Sequence, residues 1–175
     1  MVVVLTSIFN PQLLNKNSAH SKALYNRVTM GKAARAIIIE NNKVLVMHRN
    51  KQGSQYFTLV GGRTNDNETV EQALVREIKE ETGLTITNAR LVFVEYHPEP
   101  YNEQYIFLCE VAPHADIIID NAAEEAFMNR LGVNVHKPLW VDKKAFASIA
   151  FRTPQLQTAI VRGIKKGFPK EATRL

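Results

Sequence analysis

Cysteine is nearly missing from this 175-residue chain, which carries a single one, Cys109. One thiol excludes an internal disulfide and a cysteine-based metal site. Its place in the apolar run QYIFLCEV reads as a buried structural thiol, and it weakly favours a reducing compartment such as the cytoplasm. Long hydrophobic runs are also missing: none approaches the roughly 20 residues that a membrane helix needs, so a soluble chain without a membrane partner is expected. Internal repeats and low-complexity tracts are absent as well. Acidic residues are missing from the first 39 positions, where Lys16, Lys22, Arg27, Lys32 and Arg35 occur, and only Glu171 faces Arg162, Lys165, Lys166, Lys170 and Arg174 at the other end. Basic ends of this kind are usually solvated faces, so the net charge of +5 weighs little toward nucleic acid and more toward small phosphate-bearing molecules.

What is present is average for a globular protein: 45% hydrophobic and 22% charged residues, and a length that suits one domain. Residues 1–29 read as an N-terminal extension. Their lack of acids and their Ser and Asn content resemble an organelle transit peptide, which would place the protein in an organelle matrix. An equally weighted reading starts translation at Met30, and a folded appendage is a third. The domain proper is expected over 30–175. The oligomeric state is left open, a dimer included.

ARAIIIE and KVLVMHR are β-branched, apolar runs separated by Asn41-Asn42, two residues that tolerate positive φ, and so predict a hairpin. Tyr56 to Val60 predicts a short strand running into Gly61-Gly62. A helix follows, then strands over ARLVFVEY and QYIFLCEV, separated by HPEPYNE, whose prolines forbid continuous pairing. From Ala112 to Lys137 the only periodic stretch is a short helical one around NAAEEAFMNRLG. PLWV predicts a last strand; DKKAFASIA and PQLQTAIVRGIKK predict two closing helices, the second started by Pro154 after Thr153. Strands with a helix between them and helices at the end describe a helix-covered sheet of the α/β class.

The helix after Gly62 is well punctuated. Thr69 with Gln72 fits a capping box, and Gly83 stands where a left-handed residue commonly ends a helix. At about 100° per residue, Val70, Ala73 and Leu74 mark an apolar face, and Glu77 and Glu81 fall inside it with Glu80 at its border. Unpaired carboxylates on a packing face are costly, so these residues require a cation or strong donors. Three hard oxygen donors without histidine or cysteine favour Mg²⁺, with Mn²⁺ as an alternative, over zinc.

The segment from Gly62 reads Gly-x5-Glu-x7-Arg-Glu-Ile-x-Glu-Glu-x-Gly-Leu. At Gly62, Glu68, Arg76, Glu77, Ile78, Glu80, Glu81, Gly83 and Leu84 it resembles the Nudix box, and the order of strands and helices around it also resembles a Nudix domain. The resemblance implies a single-domain α/β/α sandwich with a mixed sheet. It implies that Glu77, Glu80 and Glu81 bind divalent metal, with the Gly61 carbonyl as a further ligand, and that Glu68 and Arg76 hold the glutamates in place. Glu77 or a later loop carboxylate would be the base. Glu124 and Glu125 resemble the later acidic pair of the family, and Glu125 is taken as a candidate metal ligand. The box departs from many relatives at Asn65 and Asn67, where Asn67 can still supply a left-handed turn.

The activity implied is metal-dependent hydrolysis of a phosphoanhydride in a nucleoside diphosphate derivative: a modified nucleoside triphosphate, a dinucleoside polyphosphate or an ADP-ribose-like molecule. Arg35, Arg49 and Lys51 are candidate phosphate contacts. Tyr101, Phe57 and Trp140 are candidate stacking partners, although strand aromatics are more often core. His97, His114 and His136 read as surface or turn residues. Two other readings compete: a silent Nudix-fold module that binds nucleotide without cleaving it, and an enzyme acting on RNA 5′ ends.

Overall fold

The structure is a computed structural model that describes residues 31–97 and 102–175. The expectations for residues 1–29 and for Pro98, Pro100 and Tyr101 lie outside the described residues. β1 (Ala33–Glu40) and β2 (Lys43–Lys51) form the expected hairpin, with Asn41 and Asn42 at φ 47° and 63°. Two successive left-handed residues match the twist of the flanking strands, and asparagine adopts that conformation at low cost. β3 (Ser54–Thr58), α1 (Val70–Thr82), β4 (Ile86–Tyr96) and β5 (Glu103–Val111) follow. α2 (Glu124–Leu131), β6 (Asn134–Asp142), α3 (Lys143–Phe146), α4 (Pro154–Lys166) and β7 (Thr173–Arg174) complete the elements of the described residues.

The seven strands make one mixed sheet: β1 runs parallel to β5 and β4 parallel to β7, and the remaining pairings are antiparallel. The β1–β2 ladder is confined to Ile39↔Val44 and Glu40↔Lys43, so the hairpin splays below its turn. Residues 60 to 62 fill the edge of β1 that this leaves, through Ala36 N–H to the Val60 carbonyl at 3.0 Å and Ala34 N–H to the Gly62 carbonyl at 2.9 Å. That pairing fixes Gly61 and Gly62 beside Arg35.

Strand side chains alternate between two cores, as a period of two requires. Ala34, Ala36, Ile38, Leu45, Met47, Phe107 and Cys109 join Ala73, Leu74 and Ile78 of α1 in one. Ile37, Val44, Val46 and Ile106 join Phe146 of α3 and Leu156 and Ile160 of α4 in the other. Helices therefore cover both faces, and the fold is an α/β/α sandwich. Cys109 is a buried core thiol, pushed up to about 12 by burial.

Several boundaries differ from expectation. β3 ends at Thr58 because Val60 turns away to pair with β1. β6 begins at Asn134, earlier than PLWV, and contains Pro138 opposite Met47. Among the described residues β6 pairs with β2 alone, so a residue without an N–H is tolerated on it. DKKAFASIA yields only the four-residue α3, capped by the Asp142 carboxylate accepting from Lys144 N–H at 2.8 Å. Among the described residues no helix is long and apolar enough to cross a membrane.

Candidate active site

The carboxylate helix is anchored at both ends. Gln72 N–H donates to Thr69 Oγ1 at 3.2 Å and Thr69 N–H to Gln72 Oε1 at 2.8 Å, so the capping box is complete. Gly83 closes the other end at φ 73°, with its N–H on the Lys79 carbonyl. In the loop before the helix, Asn67 has φ 66° and Asn65 N–H donates to Glu68 Oε2 at 2.8 Å.

Arg76 organises the acidic side chains around it. Its Nε and Nη2 grip Glu68 Oε1 and Oε2 at 2.8 and 2.9 Å, a two-point fork that suits guanidinium and carboxylate. Nη1 donates to Glu77 Oε1 at 2.9 Å and to Glu80 Oε2 at 3.1 Å, and Nη2 also reaches the Arg63 carbonyl at 2.9 Å. The hydrogen bonds that Arg76 donates to Glu68 hold the Glu68 carboxyl below its usual range and the guanidinium above its own.

Glu77 and Glu81 behave differently, as their place on the apolar face requires. Glu81 is only 4% exposed, and its Oε2 accepts from Gly61 N–H at 2.6 Å. Burial pushes its carboxyl up to about 8; Arg35 and the Gly61 N–H oppose that rise, while Glu125 and Glu77 add to it. Burial also raises Glu77, against the pull of Arg76. Arg35 is itself lowered by burial, within the fields of Glu81, Arg49, Glu77 and Glu125.

Two glycines make room for this packing. A Cβ on Gly62 would lie 2.3 Å from Glu77 Cδ, and one on Gly61, whose φ is 118°, would lie 2.2 Å from the Ala34 carbonyl oxygen. Glycine at 62 thus leaves room for the Glu77 carboxylate, and glycine at 61 lets this segment lie against β1.

Glu77, Glu80 and Glu81 line one cavity with Gly61, Glu124 and Glu125. Arg35, Arg49 and Lys51 line it too, so the structure brings together every described candidate metal ligand and phosphate contact, and Glu68 reaches it through Arg76. Phe57 and Trp140 instead pack against the cores. Sequence reading missed Gln104, Tyr56 and Asn134, which also line the cavity. No residue pattern marks them; the pairing of β5 with β1 and of β6 with β2 brings them in. Arg49 lines the cavity, and its Nε is buried without a hydrogen-bond partner. An unpaired buried donor costs about 1–3 kcal/mol, so an anionic ligand there would be favoured.

His136, expected at a surface or turn, is a buried residue of β6 paired with Arg49. Burial first, and Arg49 second, lower it to about 4, against a smaller opposing effect of the Asn134 backbone. The unfolded chain therefore takes up a proton that the folded chain refuses. Stability from this residue is present above about 6.5 and is lost as pH falls toward about 4. Chemical denaturation across that window is expected to show the decline, and His136→Leu to flatten it.

Among the described residues no three His, Cys, Asp or Glu side chains converge tightly enough to hold an ion as they stand. Arg76 holds one oxygen of Glu77 and one of Glu80. The donor set nevertheless fits a hard dication: it is all carboxylate, and Glu81 is buried with less positive charge than it needs. Glu77, Glu80 and Glu81, with Glu125, could hold Mg²⁺ or Mn²⁺ after modest side-chain rotation.

The NUDIX domain family profile matches residues 30–148, more than half of the chain. The protein belongs to the Nudix superfamily. Its fold agrees with solved Nudix structures: a Nudix hydrolase from Nitrosomonas europaea superposes with a TM-score of 0.61 at 19% identity, covering 84% of this chain and 79% of that one. The ORF135 protein of E. coli gives 0.57 at 19% identity, covering 78% and 94%. Curated relatives include an ADP-ribose pyrophosphatase of Methanocaldococcus jannaschii, 39% identical over 77 residues (43% of this chain, 44% of the relative). An 8-oxo-dGTP diphosphatase of Proteus vulgaris is 36% identical over 70 residues (39% and 62%), and an RNA pyrophosphohydrolase of Haemophilus influenzae 39% over 61 (35% and 31%). This Nudix chain thus spans less than two thirds of the length of the curated relatives it matches.

Proposed function

We propose that this Nudix protein is a Mg²⁺- or Mn²⁺-dependent pyrophosphohydrolase that cleaves a phosphoanhydride bond in a nucleoside diphosphate derivative. The observation that carries this reading is one cavity where Glu77, Glu80, Glu81 and Glu125 meet Arg35 and Arg49. Neither half suffices alone, since the carboxylates repel a phosphate chain and the cations attract one without activating water. The carboxylates and the Gly61 carbonyl would hold the metal, which would supply positive charge against the phosphates and make a water molecule more acidic. Arg35, Arg49 and Lys51 then hold the phosphate chain. Glu68 and Arg76 keep the helix glutamates oriented, as the supports of metal ligands do. Glu77 or Glu125 accepts the proton of the attacking water. Glu125 stands at the start of α2, in the field of Glu77 and Glu81, which supports its sharing that role.

The cytoplasm is the proposed compartment, with an organelle matrix as the alternative if residues 1–29 act as a transit segment. The 30–175 span is proposed as the catalytic domain, acting on a small nucleotide.

A panel of 8-oxo-dGTP, ADP-ribose, a dinucleoside polyphosphate and 5′-triphosphorylated RNA, each with Mg²⁺ and with excess EDTA, tests the reading. Release of phosphate, pyrophosphate or a mononucleotide from at least one small nucleotide is expected, and EDTA abolishes it. Turnover that survives EDTA would contradict the metal assignment. Turnover of RNA alone would favour the RNA-end reading, and binding without turnover the silent module.

A further inference from the structure

Beyond the carboxylate cavity lies a second cavity of about 460 Å³, joined to it through Arg35, Arg49, Lys51, Tyr56 and Gln104, which line both. Its far end has a different chemistry. Glu95, near the end of β4, lines it and is only 6% exposed, and His97 Nε2 lies 2.8 Å from Glu95 Oε2. Thr58 Oγ1, buried with no hydrogen-bond partner, lines the same space. The Tyr56 ring, with the Arg152 guanidinium 5.1 Å from its centroid, adds an aromatic wall.

The strand order sets Glu95 at the end of a line. Arg35 Nε donates to Gln104 Oε1 at 3.2 Å, and Gln104 pairs with Glu95 across β4 and β5. Arg35, Gln104 and Glu95 thus lead across three neighbouring strands, from the carboxylate cluster to a buried anion. Phosphate binding does not explain that anion, which would repel a phosphate. A buried carboxylate is costly unless something donates to it, and His97 Nε2, although 2.8 Å away, makes no hydrogen bond to it.

We propose that Glu95 is a specificity-determining residue that reads the N–H edge of a guanine base while the phosphates lie over Arg35 and Arg49. The inference rests on the nucleotide-hydrolase reading above. Guanine presents two adjacent N–H donors, from its ring N1 and its 2-amino group, that together match the acceptor character of a carboxylate. Adenine and cytosine set a ring-nitrogen acceptor beside the amino group, and uracil flanks its one N–H with two carbonyls. Each of those edges turns a lone pair toward the anionic oxygens, leaving buried polar groups unmatched. The free Thr58 hydroxyl remains for a carbonyl oxygen of the ligand.

The test compares kcat/KM for dGTP, dITP and dATP in wild type and Glu95→Gln, alongside equilibrium titration of both proteins with GDP and ADP. Wild type is expected to favour dGTP over dATP at least about a hundredfold, with dITP, which lacks the 2-amino donor, in between. Glu95→Gln offers one donor and one acceptor. It should lower the dGTP-to-dATP ratio at least about tenfold, mainly through KM, while retaining turnover of dATP. A base-indifferent wild type, an unchanged ratio in Glu95→Gln, or a preference for ADP-ribose over every triphosphate would overturn the inference and leave the hydrolase reading standing. Guanine-selective binding with no turnover of any nucleotide would overturn the hydrolase reading and leave the role of Glu95 standing.

Discussion

Replacing Glu81 with glutamine is expected to lower metal-dependent nucleotide hydrolysis at least about a hundredfold, since a lost carboxylate ligand removes several kcal/mol of charge stabilisation. The same change should raise the melting temperature of the metal-free protein at alkaline pH. Glu81 is buried, and its folded-state carboxyl is raised to about 8 from an ordinary value of 4.5. A raised carboxyl contributes stability that is fully present below about 4.5 and lost as pH climbs through about 8. Glutamine fills the same space without ionising and still accepts the Gly61 N–H, so the variant should not share that loss. Thermal melts of both proteins in EDTA between pH 5 and about 9 check the sign. A variant that hydrolyses nucleotide at the wild-type rate, or a metal-free wild type as stable at high pH as at low, would contradict this account of Glu81.

Gly62→Ala is the second large effect, and it acts through position instead of charge. The added Cβ would stand 2.3 Å from Glu77 Cδ, well inside contact distance, so the carboxylate has to move. A flexible side chain can do so without unfolding the protein. Glu77, however, is fixed by Arg76 Nη1 on one side and by the backbone at Gly62 on the other. A shift of about 1 Å in a reacting group can cost about a hundredfold. Activity is therefore expected to fall at least about a hundredfold, with the circular dichroism spectrum and cooperative melting retained. Gly53→Ala, where a Cβ meets nothing within 4 Å, is the control for a glycine change that leaves the carboxylates alone, and its φ of 86°, which Gly62 does not share, makes it the more strained backbone change of the two. Equal activity losses in the two variants would remove the steric explanation.

Local signals carried the carboxylate helix almost completely. Its limits, capping box and left-handed terminator are all encoded within a few residues of where they act, and the predicted burial of Glu81 follows from helical spacing alone. The Asn41-Asn42 turn was legible for the same reason. What the sequence hid depends on residues far apart. Gln104 and Glu95 read as ordinary strand polar residues until β5 pairs with both β1 and β4. His136 looked exposed because PLWV seemed to start after it, whereas pairing with β2 extends the strand back to Asn134. β7 is two residues long, Thr173 and Arg174, and exists only because β4 offers a free edge. The cluster of Arg35, Arg49 and Lys51 was visible as charge near the first strands. Its convergence with Glu125 required the α2 segment to fold back over the same cavity.

The central claim is that the helix glutamates hold a divalent cation. Titration of the purified protein with Mn²⁺, read as loss of the free-ion electron paramagnetic resonance signal, addresses it without depending on any substrate. The account predicts saturable binding to the wild type, weakened at least about tenfold in Glu77→Gln and Glu81→Gln and strengthened as pH rises through about 8, where Glu81 gives up its proton. Mn²⁺ binding that is absent in the wild type, or undiminished in both variants, would contradict it.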